Sequence, residues 1–366
     1  MRYIVPLLLL IAGLTGFFSC SNTFTGVRTI KKGIHFYAAN NKYYRFTGRF
    51  DFSNRKLPRV WNPGAYIEVG FEGTFLEIEI NDEKLYGGHN YIEVVIDDLP
   101  PRRIQLVANN NILLISDSLE NKKHTLLICK NTESSMGYIE LVGISCQKLL
   151  PPKHRTKKIE FIGDSITCGN GSDNTGIKCG DGTWYDQHNA YLSYGPIVSR
   201  ILGTDWQLSS VSGIGMYSSC CGMVKTMPQV YNKINFETTG PDWNMPSDSK
   251  TNPDIVVITL GQNDGIQDST DYCSTYLAFV RKLRKTYKNA TFICCTSPMA
   301  DPKLQAQMAR YIPAITSELH RKGDLNVHSF IYKGMYRSGC TLHPTLAEHR
   351  EIAKELIPFV KEVSGW

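Results

Sequence analysis

The chain has 366 residues, of which 42% are hydrophobic and 20% charged, and carries a formal net charge of +6. A chain of this length can bury a large core and favours two domains over one. The positive charge is scattered, with no long basic run, which removes nucleic acid from the expected partners. Nothing in the pattern indicates a protein partner.

At the N-terminus Arg2 precedes an apolar run from Ile4 to Phe18, followed by Ser19 and Cys20. The run is short for a membrane span and reads as a signal peptide over 1–20. A cysteine directly after a small residue resembles a bacterial lipoprotein processing site, which makes Cys20 the expected lipid anchor and the cell envelope the expected location. Ordinary secretion with cleavage near the same place is the alternative. Export in turn permits disulfides among the other cysteines, although sequence leaves their connectivity open. Cys168 and Cys179 flank one loop that a bridge would stiffen, and Cys294-Cys295 reads as buried thiols in a strand.

Residues 25–148 read as short strands separated by Gly, Asn and Pro turns. Apolar and charged side chains alternate in Tyr66-Ile67-Glu68-Val69 and again in Phe75-Leu76-Glu77-Ile78-Glu79-Ile80, the signature of half-buried strands. The expected fold here is an antiparallel β-sandwich. A linker at 149–158 contains Pro151-Pro152 and a cluster of charge, and beyond it the pattern changes. Over 159–366 short apolar strands at 159–162, 207–211, 255–260, 292–296 and 327–330 alternate with amphipathic helices at 191–202, 272–287, 304–321 and 346–363. That is a doubly wound α/β domain with a parallel sheet, whose sites lie at the carboxyl ends of the strands.

The polar residues of interest fall at those ends. Ser165 follows the first strand, Gly213 the second, Asn263 the third and His343 the fifth. Serine is a weak nucleophile at its own pKa and needs a base in hydrogen-bond reach, a role that suits His343. The backbone N–H groups of Ser165 and Gly213 and the side-chain amide of Asn263 are suitable donors to a developing oxyanion. No His-Glu-x-x-His or zinc-ribbon spacing is present, so neither a metal nor another cofactor is expected.

Gly163-Asp164-Ser165, Ser212-Gly213, Gly261-Gln262-Asn263-Asp264 and His343-Pro344, in this order, resemble the four blocks of the SGNH hydrolase superfamily. With a β-sandwich ahead of them, the layout is similar to the family 2 carbohydrate esterases. The resemblance implies a jelly-roll domain joined to an SGNH hydrolase domain with a flavodoxin-like sheet, and deacetylation of a plant polysaccharide of the xylan or glucomannan type through an acetyl-serine intermediate. One position departs from the superfamily: the Asp three residues before the histidine is Cys340 here. The resemblance therefore implies a Ser165–His343 dyad whose second ring nitrogen is held by a neutral group such as a backbone carbonyl. Asp164 and Asp264 read as structural neighbours of the site.

Other residues carry weaker expectations. Trp184 and Tyr185 suit either a sugar platform or a domain-interface plug, with Trp61 and Trp243 as further aromatic candidates. His188 and His349 read as surface or helix residues, and Asn189 as a cap. Thr345-Leu346-Ala347-Glu348 is a capping-box pattern that starts the last helix immediately after His343. The sandwich either binds glycan or walls the cleft. Two rival functions remain at this point: a lipid or thioester hydrolase on the same fold, and a glycan-binding lipoprotein inactivated by the missing Asp.

Overall fold

A computed structural model describes residues 23–24, 26–243 and 252–366. The leader and Cys20 lie outside the described residues. Among the described residues ten antiparallel strands form the first domain: β1 (Thr23–Phe24), β2 (His35–Ala38), β3 (Arg45–Thr47), β4 (Arg59–Val60), β5 (Tyr66–Asp82), β6 (Tyr91–Ile96), β7 (Arg102–Gln105), β8 (Asn110–Ser116), β9 (Lys123–Lys130) and β10 (Ile139–Leu150). The two alternating stretches that read as separate strands around Gly73 are one 17-residue strand, β5. Gly73 has φ +118°, a conformation open to a residue without Cβ, and it lets the strand bend where a turn was expected. The first half of β5 pairs with β3 and β9 and its second half with β8, while β10 runs along it from Gly70 to Asp82. One strand thereby serves both halves of the domain around an aliphatic core that includes Val69, Phe71, Ile78, Ile80, Ile128 and Ile144.

Among the described residues the second domain holds five parallel strands: β11 (Lys158–Gly163), β12 (Asp205–Ser210), β13 (Ile255–Thr259), β14 (Thr291–Cys295) and β15 (Val327–Phe330), in the order β12-β11-β13-β14-β15. Its helices are α1 (Ser165–Cys168), α2 (Tyr194–Leu202), α3 (Met227–Val230), α4 (Ser269–Thr286), α5 (Pro302–Arg321) and α6 (Leu346–Ser364). The strand order reverses at β11, which makes the crevice beyond the carboxyl ends of β11 and β13 the natural site. Three helices begin away from the expected residues: α2 starts later, at Tyr194, while α4 and α5 start earlier because side-chain caps set their starts. Asp268 accepts from Thr270 N and opens α4, and Asp301 accepts from Lys303 N and Leu304 N with Pro302 in the first turn of α5.

The domains share a core rather than merely touching. Tyr66 and Cys129 of the first domain lie in one apolar cluster with Phe161, Tyr194 and Trp206 of the second. The Trp206 indole donates to the Gly64 carbonyl at 2.8 Å. Arg49, from the turn after β3, is fully buried against Glu160 of β11 at 3.5 Å, donates to Ser209 Oγ at 2.9 Å and to the Tyr231 carbonyl, and lies over the rings of Tyr231, Phe236 and Trp243. Removing one partner of a buried ion pair leaves an uncompensated charge in the interior. Arg49→Leu is therefore expected to cost about 3–5 kcal/mol of stability, read as a lower urea midpoint. An unchanged midpoint would remove this contact from the forces holding the domains together.

Candidate active site

Ser165 opens α1 immediately beyond β11. Gly163, the last residue of that strand, has no room for a side chain, since a Cβ there would lie 2.0 Å from Thr167 Oγ1. The Asp164 carboxylate accepts from Ile166 N at 3.0 Å and caps the single turn. Burial, with the nearby Asp264 adding to it, pushes that carboxyl up to about 7. Ser165 is buried, and its Oγ lies 2.9 Å from His343 Nε2. The Thr341 carbonyl lies 3.1 Å from the other ring nitrogen, Nδ1, and Thr341 Oγ1 lies 3.0 Å from it. Among the described residues no carboxylate pairs with the ring. A proton on Nδ1 donated to that carbonyl leaves Nε2 as acceptor for the serine.

The loop carrying His343 is fixed from several sides. Thr341 and Leu342 both adopt left-handed backbone, with φ of 51° and 61°, which for a β-branched residue persists only where surroundings enforce it. Cys340 N donates to the Gly171 carbonyl at 3.0 Å, and Gly339 N to the His343 carbonyl at 2.6 Å. Cys340, the residue standing in the usual aspartate position, is disulfide-bonded to Cys179. The stiffening bridge in the loop after the nucleophile thus runs from Cys179 to the histidine loop, while Cys168 is a buried free thiol whose Sγ donates to Ser210 Oγ at 3.3 Å. Beyond His343 the capping box forms as expected, with Thr345 Oγ1 accepting from Glu348 N at 3.1 Å and the Glu348 carboxylate accepting from Thr345 N at 2.9 Å.

Gly213 and Asn263 approach the same edge. Asn263 Nδ2 donates to the Ile214 carbonyl at 3.0 Å, which joins the loop after β13 to the loop after β12 and leaves a second amide hydrogen without an acceptor among the described residues. The backbone N–H groups of Ser165 and Gly213 have no acceptor among the described residues. Asp264 accepts from the backbone N–H groups of Met216, Tyr217 and Ser218 at 2.6–3.0 Å, and so organises the Gly213 loop from its far side. Burial raises its carboxyl despite those donors.

The remaining aromatic and histidine candidates separate. Trp184 is 52% exposed and meets the His188 ring edge-on at 4.7 Å, whereas Tyr185 packs on Gly88 of the first domain. Trp61 packs on Tyr138 within the first domain. Trp243 lines a cavity of about 1120 Å³ with Lys158 and Asp205, the first residues of β11 and β12, at the sheet end opposite Ser165. Neither Ser165 nor His343 lines this cavity. His349 lies in helix α6, as one of its two expected readings had it, whereas His188 is in no helix; both are fully buried and not on the surface. Burial holds His188 well below the ordinary histidine range and His349 down to about 3, and in both the nearby His343 adds to the effect. Ser193, not Asn189, precedes α2. Asn189 instead accepts from Leu192 N and donates to Asp173 Oδ2 at 2.9 Å. Sequence reasoning missed Thr341, Asn170 and Glu133, which have no motif and act through hydrogen bonds between segments remote in the chain.

The chain matches two family descriptions: "Carbohydrate esterase 2 N-terminal" over residues 46–152 and "GDSL-like Lipase/Acylhydrolase family" over residues 161–350. It is 29% identical to a cellulase/esterase, CelE, of Acetivibrio thermocellus over 88% of this chain, a match spanning 39% of that protein's length. An acetylxylan esterase/glucomannan deacetylase of Cellvibrio japonicus is 26% identical over the full length of both chains. A solved family two carbohydrate esterase from Clostridium thermocellum, in complex with cellohexaose, superposes with a TM-score of 0.78 at 29% identity, covering 88% of this chain and 99% of that one.

Two outcomes follow from this geometry. Burial lowers the His343 pKa from 6.5 more than the carbonyls at its loop raise it. Because the base must be neutral, kcat/KM should rise with pH through a midpoint below 6.5 and stay level above it; a midpoint above 6.5 would contradict the assignment. Opening the bridge with Cys179→Ser/Cys340→Ser should lower kcat about 10- to 100-fold by freeing the histidine loop, and dithiothreitol should reproduce the loss in the native protein but not in the double variant.

Proposed function

As the chain belongs to the GDSL-like lipase/acylhydrolase family and is a carboxylic ester hydrolase, we propose that it removes O-acetyl groups from a polysaccharide of the xylan or glucomannan type, using a Ser165–His343 dyad. The 2.9 Å contact between Ser165 Oγ and His343 Nε2 carries this reading. Ser165 gives its proton to Nε2 as Oγ attacks the acetyl carbonyl carbon. The carbonyl π electrons move onto oxygen, where the N–H groups of Ser165 and Gly213 and the free amide hydrogen of Asn263 meet the charge. Collapse of that intermediate breaks the bond to the sugar oxygen, which takes the proton from Nε2, and leaves acetyl-serine. Water repeats the sequence, with His343 again accepting and returning a proton, and acetate leaves. The Thr341 carbonyl orients the ring and supports the imidazolium with a partial charge, where a carboxylate would supply a full one.

The half-exposed Trp184 ring offers a face for a sugar. A polymer of this kind is met outside the cytoplasm, which goes with export through the leader and lipid anchoring at Cys20, and the Cys179–Cys340 bridge supports an oxidising compartment. Acetate release from acetylated xylan and acetylated glucomannan tests the proposal, with a long-chain 4-nitrophenyl ester in parallel. Release is expected from at least one polymer, falling by about 10⁴-fold or more in Ser165→Ala, with no long-chain cleavage. Cleavage of the long-chain ester alone would make this a lipid hydrolase, and inertness towards all three substrates would leave a glycan-binding protein.

A further inference from the structure

Glu133 belongs to the first domain, in the turn after β9, yet its carboxylate reaches both sides of the Ser165 site. It is 1% exposed. Oε2 accepts from Ser212 N at 3.0 Å, and Oε1 accepts from Ser212 Oγ and from Asn170 Nδ2 at 3.2 Å, with His188 Nδ1 at 3.5 Å. The second hydrogen of the Asn170 amide goes to Ser212 Oγ at 3.0 Å, closing a triangle of Glu133, Ser212 and Asn170. Asn170 N in turn donates to the Ser165 carbonyl at 3.0 Å. The carboxylate thus grips the residue directly before Gly213 and, through Asn170, the turn that carries Ser165.

That grip meets a specific need. Gly213 has φ +80°, and without a Cβ the Ser212–Gly213 peptide has little steric preference for one orientation over its flipped alternative. An oxyanion donor works only if it points at the site before the charge develops. Holding Ser212 by both its N–H and its hydroxyl removes the freedom that glycine introduces. Glu133 is itself held from behind. The buried Lys130 ammonium donates to the carbonyls of Thr132 at 2.7 Å and Glu133 at 2.9 Å, and Asn90 Nδ2, which donates to Asp82 Oδ1 at 2.7 Å, belongs to the residue that takes the Thr132 hydroxyl.

Resting on the acyl-transfer reading above, we infer that Glu133 is a positioning residue that sets the orientation of the Gly213 N–H, so that the antiparallel domain supplies part of the catalytic apparatus. The test uses the full chain and 4-nitrophenyl acetate, a substrate too small to need a polysaccharide site. In Glu133→Gln an amide N–H replaces one acceptor of the Ser212 donors, and kcat should fall about 30- to 300-fold with KM within about twofold. The acid limb of the pH profile should stay where the wild type places it, because Glu133 moves no proton in the reaction. Ser212→Ala should lose about 10-fold and cost little more when added to Glu133→Gln, since both act through one contact.

Unchanged kcat in folded Glu133→Gln, additive losses in the double variant, or a loss carried by KM and matched by a lower unfolding temperature would each overturn the inference. If Glu133→Gln does not fold, Ser212→Ala decides alone: a lower kcat at an unchanged unfolding temperature supports the inference, and an unchanged kcat overturns it. Ser165→Ala run alongside keeps the two readings apart. Activity surviving that change would sink the nucleophile assignment whatever Glu133 does.

Discussion

A single hydrogen bond, from Ser165 Oγ to His343 Nε2, joins residues 178 positions apart in the chain, and most of the architecture serves to keep its two ends in register. Ser165 is held by a rigid strand end and a one-turn helix with a buried cap. His343 sits on a short loop between a disulfide and a capping box. Neither side chain chooses its place through local preference, because a hydroxyl and an imidazole placed freely would be solvated by water instead. The sheet, the caps and the bridge remove that freedom, which is what the proposed dyad needs, since positioned groups gain rate over free ones.

The domain interface belongs to the same design. At the amino ends of β11 and β12, Tyr66, Arg45 and Arg155 of the first domain and linker meet Asp205, and Arg49 is buried with Glu160 inside the sheet's flank. Near the carboxyl ends, Glu133 and Asn131 dock on the loops that follow β11 and β12, with Asn131 Oδ1 accepting from Tyr191 N at 3.1 Å. The fully buried charges, Arg49, Glu160 and Glu133, tolerate little displacement, since each lost partner leaves an unsolvated charge. The antiparallel domain is therefore wired into the loops it covers.

Cys340 shows how one position can be served by different physics. A carboxylate there would orient the imidazole by a charged hydrogen bond and stabilise its cation. The disulfide to Cys179 orients the loop instead, by covalent restraint, and leaves the ring to a carbonyl. Orientation is retained by this means, and the full counter-charge is not.

By itself the sequence determined the two classes of domain, the order of strands and helices after the linker, and four residues at strand ends. It could do so because strand alternation, helix periodicity and caps are local signals, and because Ser165, Gly213, Asn263 and His343 sit in short blocks with distinct composition. Only the tertiary structure decided that Gly73 bends a strand instead of ending it, that Cys340 pairs with Cys179 and not Cys168 with its neighbour in sequence, and that Trp243 stands at the wrong end of the sheet for Ser165. It alone brought Glu133 to Ser212 and Asn170. The reason is common to all four: each depends on which distant segments meet, and buried hydrogen bonds, covalent bridges and packed rings are chosen by the closed fold, where an unpaired group has no water to turn to.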